Sequence, residues 1–250
     1  MKVALCLSGQ PRFIQQAFQN IRDNLILPND ADVFFHCWYD DDLIGKNFVD
    51  YSENGWDNSS SKSKYPAGVK ESLIDLYAPK SFMFENQIKN IDSIIPLDEI
   101  LQSHARHYSR EYFVNMIYSS WLSIMKSNSI KEQFRLTNGI NYDYVIRARF
   151  DSQVNQPIVC KGFDPNFLYT DKRPCLPERM IEDWFAFGSN NVMNIYSAAF
   201  NFIEYAVKES NKFDKIFCGE TLVYEMVRMA KLQHLPIQGL IHFPFRQNML

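Results

Sequence analysis

Val3–Phe13 reads VALCLSGQPRF. Lys2–Leu7 is an apolar run with the length of a buried strand, and Ser8-Gly9-Gln10-Pro11-Arg12 is a polar turn. Phe13, Ala17, Ile21 and Leu25 then recur at helical spacing. Strand, turn and helix in that order open a βαβ unit. The rest of the chain repeats the alternation, which predicts an α/β fold: one Rossmann-like domain with a mainly parallel central sheet flanked by helices.

Working outward, Asp32–Trp38 (DVFFHCW) is a second strand, Val69–Tyr77 a short helix stopped before Pro79, and Ser81–Glu85 a third strand. The clearest helix runs from Ser109 to about Phe134, with Phe113, Met116, Ile117, Trp121, Ile124 and Met125 on one stripe, and Thr137-Asn138-Gly139 ends it. Tyr142–Phe150 (YDYVIRARF) is a strand that delivers Asp151. Phe167–Thr170 and Trp184–Phe187 read as strands, Val192–Lys208 and Glu220–Leu232 as helices. Residues 40–68 hold three Asp, then Ser, Asn, Gly and Lys with few aliphatics. They are expected to form a mobile surface segment that closes over a ligand.

The 250 residues, 46% hydrophobic and 15% aromatic, suffice for one large core. A formal charge of -3 lacks the basic excess of a nonspecific nucleic-acid binder, so no nucleic-acid partner is expected. No apolar run reaches the roughly 18 residues of a membrane span. The first residues do not lead into a signal-peptide cleavage region. The expected location is cytoplasmic, at most peripheral to the inner membrane face. Five Cys (6, 37, 160, 175 and 218) form no CxxC pair, which predicts reduced, mostly buried thiols. The nine Gly are not spaced for a dinucleotide fingerprint or a Walker A loop, and GxSxG and HExxH are missing.

Ligands of open α/β sheets bind beyond the carboxyl ends of the strands. The first such end here is the Ser8–Arg12 turn. Gly9 allows backbone approach, Ser8 and Gln10 offer donors and acceptors, and Arg12 offers a phosphate-binding fork. An ordinary capped turn is the competing reading. The second end is Arg147-Ala148-Arg149-Phe150-Asp151. Alternation puts Val145, Arg147, Arg149 and Asp151 on one face. Two guanidinium groups and a carboxylate there form either a closed ionic network or a site for an anion. In the latter, Asp151 binds a sugar hydroxyl or a hard divalent cation. Glu182-Asp183 is either a solvated turn or the source of a general base. Glu220 opens a helix, where the helix dipole favours a carboxylate. His36 reads as a satisfied, partly buried histidine. His104 and His107 lack a third metal ligand.

Taken together, VALCLSGQPRF at 3–13, DVFFHCW at 32–38, the long helix, YDYVIRARFD at 142–151 and EDWFAFGS at 182–189 resemble a small glycosyltransferase of the GT-A type, from the group that begins with a strand and SGQPR. Such proteins are associated with bacterial or viral surface polysaccharides. The resemblance implies a nucleotide-sugar donor and a glycan or lipid-linked acceptor. It assigns Ser8, Gly9, Gln10, Arg12, Arg147, Arg149 and Asp151 to the donor, and Asp183, with Glu220 in reserve, to activation of the acceptor hydroxyl. Asp151 would stand for the last acid of the Asp-x-Asp motif, a tentative ligand of Mn²⁺ or Mg²⁺. Arg149 stands where that motif has its first acid, so the metal is in question. A noncatalytic nucleotide- or glycan-binding module is the alternative. A nucleotidyltransferase ranks third, because it needs clustered acids for its metals.

Overall fold

The computed structural model describes residues 1–45, 65–86, 117–173, 176, 178–206 and 218–242. Nine strands run through them: β1 (Val3–Gly9), β2 (Asp32–Trp38), β3 (Ser81–Glu85), β4 (Tyr144–Arg149), β5 (Gln153–Val154), β6 (Phe167–Lys172), β7 (Ala186–Ser189), β8 (Gln233–Gln238) and β9 (Ile241–His242). Seven of them build one sheet in the order β3-β2-β1-β4-β7-β6-β8, and β5 pairs with β9. The left half, β3-β2-β1-β4, is parallel throughout. β7 runs antiparallel to both β4 and β6, and β8 is parallel to β6. The sheet is therefore mostly parallel, with one reversed strand beside its centre.

Helices α1 (Ile14–Ile21), α2 (Val69–Tyr77), α3 (Ser119–Asn138), α4 (Asn190–Ser197) and α5 (Gly219–Ala230) cover the two faces. One apolar core joins Val3, Leu5 and Leu7 of β1 to Ile14, Ala17 and Ile21 of α1 and to Val69 and Leu73 of α2. The other joins Ala4 and Cys6 to Trp121, Leu122 and Ile124 of α3 and to Leu222, Val223 and Met226 of α5. Alternate residues of one strand thus feed opposite cores, which explains why β1 and β2 are apolar over most of their length. Gly139 closes α3 in the left-handed region (φ 63°), as the Asn138-Gly139 pair predicts.

The expected elements recur, with shifts at their ends, except that the helix expected at Val192–Lys208 is α-helical over Asn190–Ser197 and passes into a 3-10 stretch at Ala198–Phe202. The strand expected at Trp184–Phe187 sits two residues later, because the preceding turn is held by side chains described below. β8 was not expected: Pro236 interrupts its run, and such a strand is tolerated at a sheet edge, where β8 lies. Cys6, Cys37 and Cys160 are buried, Cys218 is partly so, and all four are free thiols. Cys175, His104, His107, the first turns of the helix expected from Ser109, and most of the 40–68 segment (46–64) lie outside the described residues. Among those described, no helix is long and apolar enough to cross a membrane.

Candidate active site

In the parallel register Ser8 stands beside His36 of β2 and beside Arg149 of β4, and Cys6 beside Arg147. Register partners point to the same face, so Ser8, His36, Arg147 and Arg149 all lie toward α3 at the carboxyl end of the sheet. Ser8 is buried, and its Oγ has no hydrogen-bond partner. Gly9 adopts φ 108°, and a side chain placed there would meet nothing within 4 Å. Glycine is needed for the backbone, and the backbone stays approachable. Beyond it, Arg12 Nε donates to Gln10 Oε1 at 2.9 Å, so the two polar side chains of the turn are joined.

The turn is tied down from behind. The Gly9 N–H donates to Ser123 Oγ of α3 at 2.8 Å. Ser123 Oγ also lies 2.8 Å from His36 Nδ1, and His36 Nε2 lies 2.8 Å from Glu85 Oε2, which Lys126 also contacts. Because Gly9 N–H can only donate, Ser123 accepts from it, and the Ser123 hydroxyl faces both His36 Nδ1 and the His36 backbone oxygen, 3.3 Å away. The Glu85 carboxylate can only accept, so a neutral imidazole carries its hydrogen on Nε2 and leaves Nδ1 to accept from Ser123. Burial lowers the His36 pKa to about 4, against the opposing pull of Glu85, which agrees with a neutral ring. This serine, histidine and acid do not form a nucleophilic triad: Ser123 is fully buried and its oxygen is occupied by the Gly9 N–H. They are a buttress for the β1 turn. Ser123→Ala leaves Gly9 N–H and His36 Nδ1 unpaired and is expected to cost about 1–3 kcal/mol in urea unfolding at pH 7.

At β4, Arg147 is buried, and its guanidinium donates to the backbone oxygen of Asp183 while Nε has no partner. Burial lowers its pKa, opposed by the hydroxyl of Tyr196 and the carboxylate of Asp183. Arg149 makes a two-pronged bond to Asp151, Nε to Oδ1 and Nη2 to Oδ2, both at 2.7 Å. The closed-pair reading of Arg149 and Asp151 therefore describes the structure. It also bears on the metal. Both Asp151 oxygens already accept from a cation, Arg149 occupies the neighbouring acidic position, and among the described residues no three His, Cys, Asp or Glu side chains converge. The described residues do not fit a divalent ion at Asp151.

The loop entering β7 completes the site. Glu182 is not a solvated turn residue: it is buried, its Oε1 accepts from the N–H groups of Asp183 and Trp184, and its Oε2 pairs with Arg173. Arg173 also donates to Glu220 at 3.1 Å and stacks on the Trp184 ring, 4.0 Å from its centroid. Glu220 sits in the first turn of α5, and its carbonyl accepts from the Ile181 N–H, which fastens this loop to the helix. Asp183 is different. It retains some exposure, yet its Oδ1 is shut off from solvent without a partner, and its carboxylate lies against Gly219. Burial raises its pKa to about 7. The charge of Glu220 adds to the rise, and Arg147, Arg173 and Arg149 oppose it.

No protein-family model and no curated protein sequence matches the chain. A solved structure does. The crystal structure of mouse xyloside xylosyltransferase 1, in its apo form, aligns over 94% of this chain and 84% of that one, at 10% identity and a TM-score of 0.46.

The structure brings Ser8 next to Arg149, and Arg147 next to Asp183, across three strands that are not consecutive in sequence. Glu220 reaches the same cluster through Arg173. Gln10 and Arg12 lie further along the turn. Sequence reasoning missed Arg173, Trp184, Gly219 and the Ser123–His36 buttress. Arg173 sits in a Pro-rich stretch with no periodicity, and Ser123 is a small polar residue on an apolar helix stripe. That second feature was the available signal, since a fully buried serine needs a partner.

Proposed function

We propose that this chain is a glycosyltransferase that moves a sugar from a nucleoside-diphosphate donor to a hydroxyl of a glycan or lipid-linked acceptor. One observation carries the reading. Ser8 Oγ, Arg147 Nε and Asp183 Oδ1 are buried without partners around the carboxyl ends of β1 and β4 and the start of β7. Buried polar atoms are nearly always paired, so a group of orphans at the ligand-binding edge of an α/β sheet marks a place that a ligand completes.

The donor diphosphate lies along the β1 turn, where the Gly9 backbone is approachable and Ser8, Gln10, Arg12 and Arg149 present donors. The acceptor oxygen attacks the anomeric carbon while the bond from that carbon to the phosphate oxygen breaks. Asp183 takes the hydroxyl proton. The departing diphosphate carries its charge into a region of guanidinium groups, whose fork geometry matches phosphate oxygens. A base at Asp183 acts opposite the leaving group, and the product is inverted at the anomeric carbon. A noncatalytic binding module remains the second reading, and the closed Arg149–Asp151 pair favours it.

Incubation with UDP-, GDP- and dTDP-sugars, followed by mass spectrometry of released nucleotide, tests the reading alongside isothermal titration of the nucleoside diphosphates. Slow donor hydrolysis together with binding supports the transferase. Binding without any turnover supports the module. Absence of both removes the donor site altogether. Arg149→Ala is expected to weaken nucleoside-diphosphate binding about 10- to 100-fold, the loss of a charged hydrogen-bonding fork.

A further inference from the structure

We infer that Asp151 is an internal counter-ion which the donor diphosphate displaces from Arg149, and not itself a ligand of metal or sugar. The inference rests on the donor reading above and gives it a sign that can be measured.

The pair is asymmetric. The Arg149 side chain is 28% exposed, the Asp151 side chain 6%. A ligand arriving from the β1 turn therefore reaches the guanidinium and not the carboxylate. Both bonds between the two are well formed at 2.7 Å, so the fork is held in the orientation that two phosphate oxygens require. Beside it, in register on β1, Ser8 Oγ is a buried hydroxyl with no acceptor. A diphosphate oxygen satisfies Ser8 and Arg149 together, whereas Asp151 satisfies Arg149 alone.

The displaced carboxylate also has a partner waiting. Burial raises the Tyr77 phenol, the nearby charge of Asp151 adds to the rise, and the Tyr77 hydroxyl is buried without a hydrogen-bond partner. Before the ligand arrives, Arg149 is neutralised by Asp151 and Tyr77 is unsatisfied. After exchange, Arg149 holds phosphate and Tyr77 donates to Asp151. The same pair explains how a guanidinium suited to phosphate stays ordered without one.

A counter-ion and a ligand predict opposite effects of removal. If Asp151 competes with the diphosphate, Asp151→Asn relieves the competition. The variant is expected to bind UDP or GDP, whichever the wild type prefers, about three- to tenfold more tightly in buffer containing EDTA, since Arg149 no longer gives up an ion pair to take the phosphate. Arg149→Gln is expected to weaken binding at least about tenfold, and adding Asp151→Asn to it should change nothing more, because Asp151 acts through Arg149. Asp151→Ser serves as a second neutral variant if the asparagine form does not fold, as judged by circular dichroism.

Weaker binding by both neutral variants overturns the inference and leaves the donor reading standing. So does wild-type binding that requires Mn²⁺ and loses that requirement in Asp151→Asn. A wild type that binds no nucleoside diphosphate overturns the donor reading, and the inference with it.

Discussion

Asp183→Asn is expected to lower turnover by about 10³-fold, within the range for losing a general base, while making the protein more stable at neutral pH. The two effects have one cause. Burial and the charge of Glu220 raise the Asp183 pKa from an ordinary 3.8 to about 7. The folded chain therefore holds this proton more tightly than the unfolded chain does. Below pH 4 the carboxyl is protonated in both states, and burying it carries no charge penalty. As the pH rises toward 7 the unfolded chain gives up the proton first, stability falls, and above 7 the penalty is constant. Asparagine keeps the shape and removes the titration. Wild type and variant should be equally pH-sensitive at this position only in acid, with the variant gaining on the order of 1–3 kcal/mol by pH 8 in urea unfolding.

On the proposed mechanism activity follows the opposite course, because Asp183 takes up the acceptor proton only in its ionised form. The rate of the wild type should climb through a limb near pH 7, and Glu220→Gln should move that limb to lower pH by removing one cause of the rise. A flat rate from pH 6 to 8, or an Asp183→Asn variant with near-normal turnover, excludes Asp183 as the base. His36 and His234 contribute to stability in a different window. Burial lowers both to about 4, so each adds stability that is present above their ordinary 6.5 and lost as the pH falls toward 4. The two windows overlap between about pH 4 and 6.5 with opposite slopes, so the Asp183 contribution is cleanest between variants and not along the wild-type curve.

Much of this fold was legible because its parallel strands are short apolar runs bounded by turns. DVFFHCW and SFMFE fall on β2 and β3 without a shift, and VKESLIDLY falls on α2. The strands that went wrong have tertiary causes. β7 starts late because Glu182 and Arg173 hold 182–184 in a turn, and that partnership spans a loop. The site was legible where alternation on a strand places residues, as for Arg147 and Arg149. It was not legible where a carboxylate's state depends on neighbours. Glu182 and Asp183 are adjacent in sequence and look alike, yet one has three hydrogen-bond partners and the other has an orphaned oxygen. Nothing in an Glu-Asp pair states which is which. Asp151 shows the same limit: an Arg–Asp pair was one of two readings of this strand end, and alternation alone could not choose between the pair and an open anion site.

Gly219→Ala is expected to damage the site without touching any charged residue. Cys218-Gly219-Glu220 reads in sequence as an ordinary helix start, and the backbone there has no unusual φ. The requirement is steric. A Cβ at position 219 would stand 1.9 Å from Asp183 Oδ2 and 2.8 Å from its Cγ. Neither separation is tolerable, and the Asp183 side chain has only one carbon between backbone and carboxylate with which to move away. Two outcomes follow from forcing it aside. Overpacking costs about 1–3 kcal/mol of stability, and a base displaced by about 1 Å loses roughly 10²-fold in rate. Gly188 supplies the control. A Cβ there would meet the Phe167 backbone oxygen at 2.8 Å and Val192 Cγ1 at 3.0 Å, contacts with sheet and helix that involve no site carboxylate. Gly188→Ala should therefore lose comparable stability and keep its turnover per folded molecule at a temperature well below both unfolding midpoints. If the two alanine variants lose activity only in proportion to the fraction unfolded, the close approach of Asp183 to α5 serves packing alone, and the placement of the base has to be sought elsewhere in the cluster.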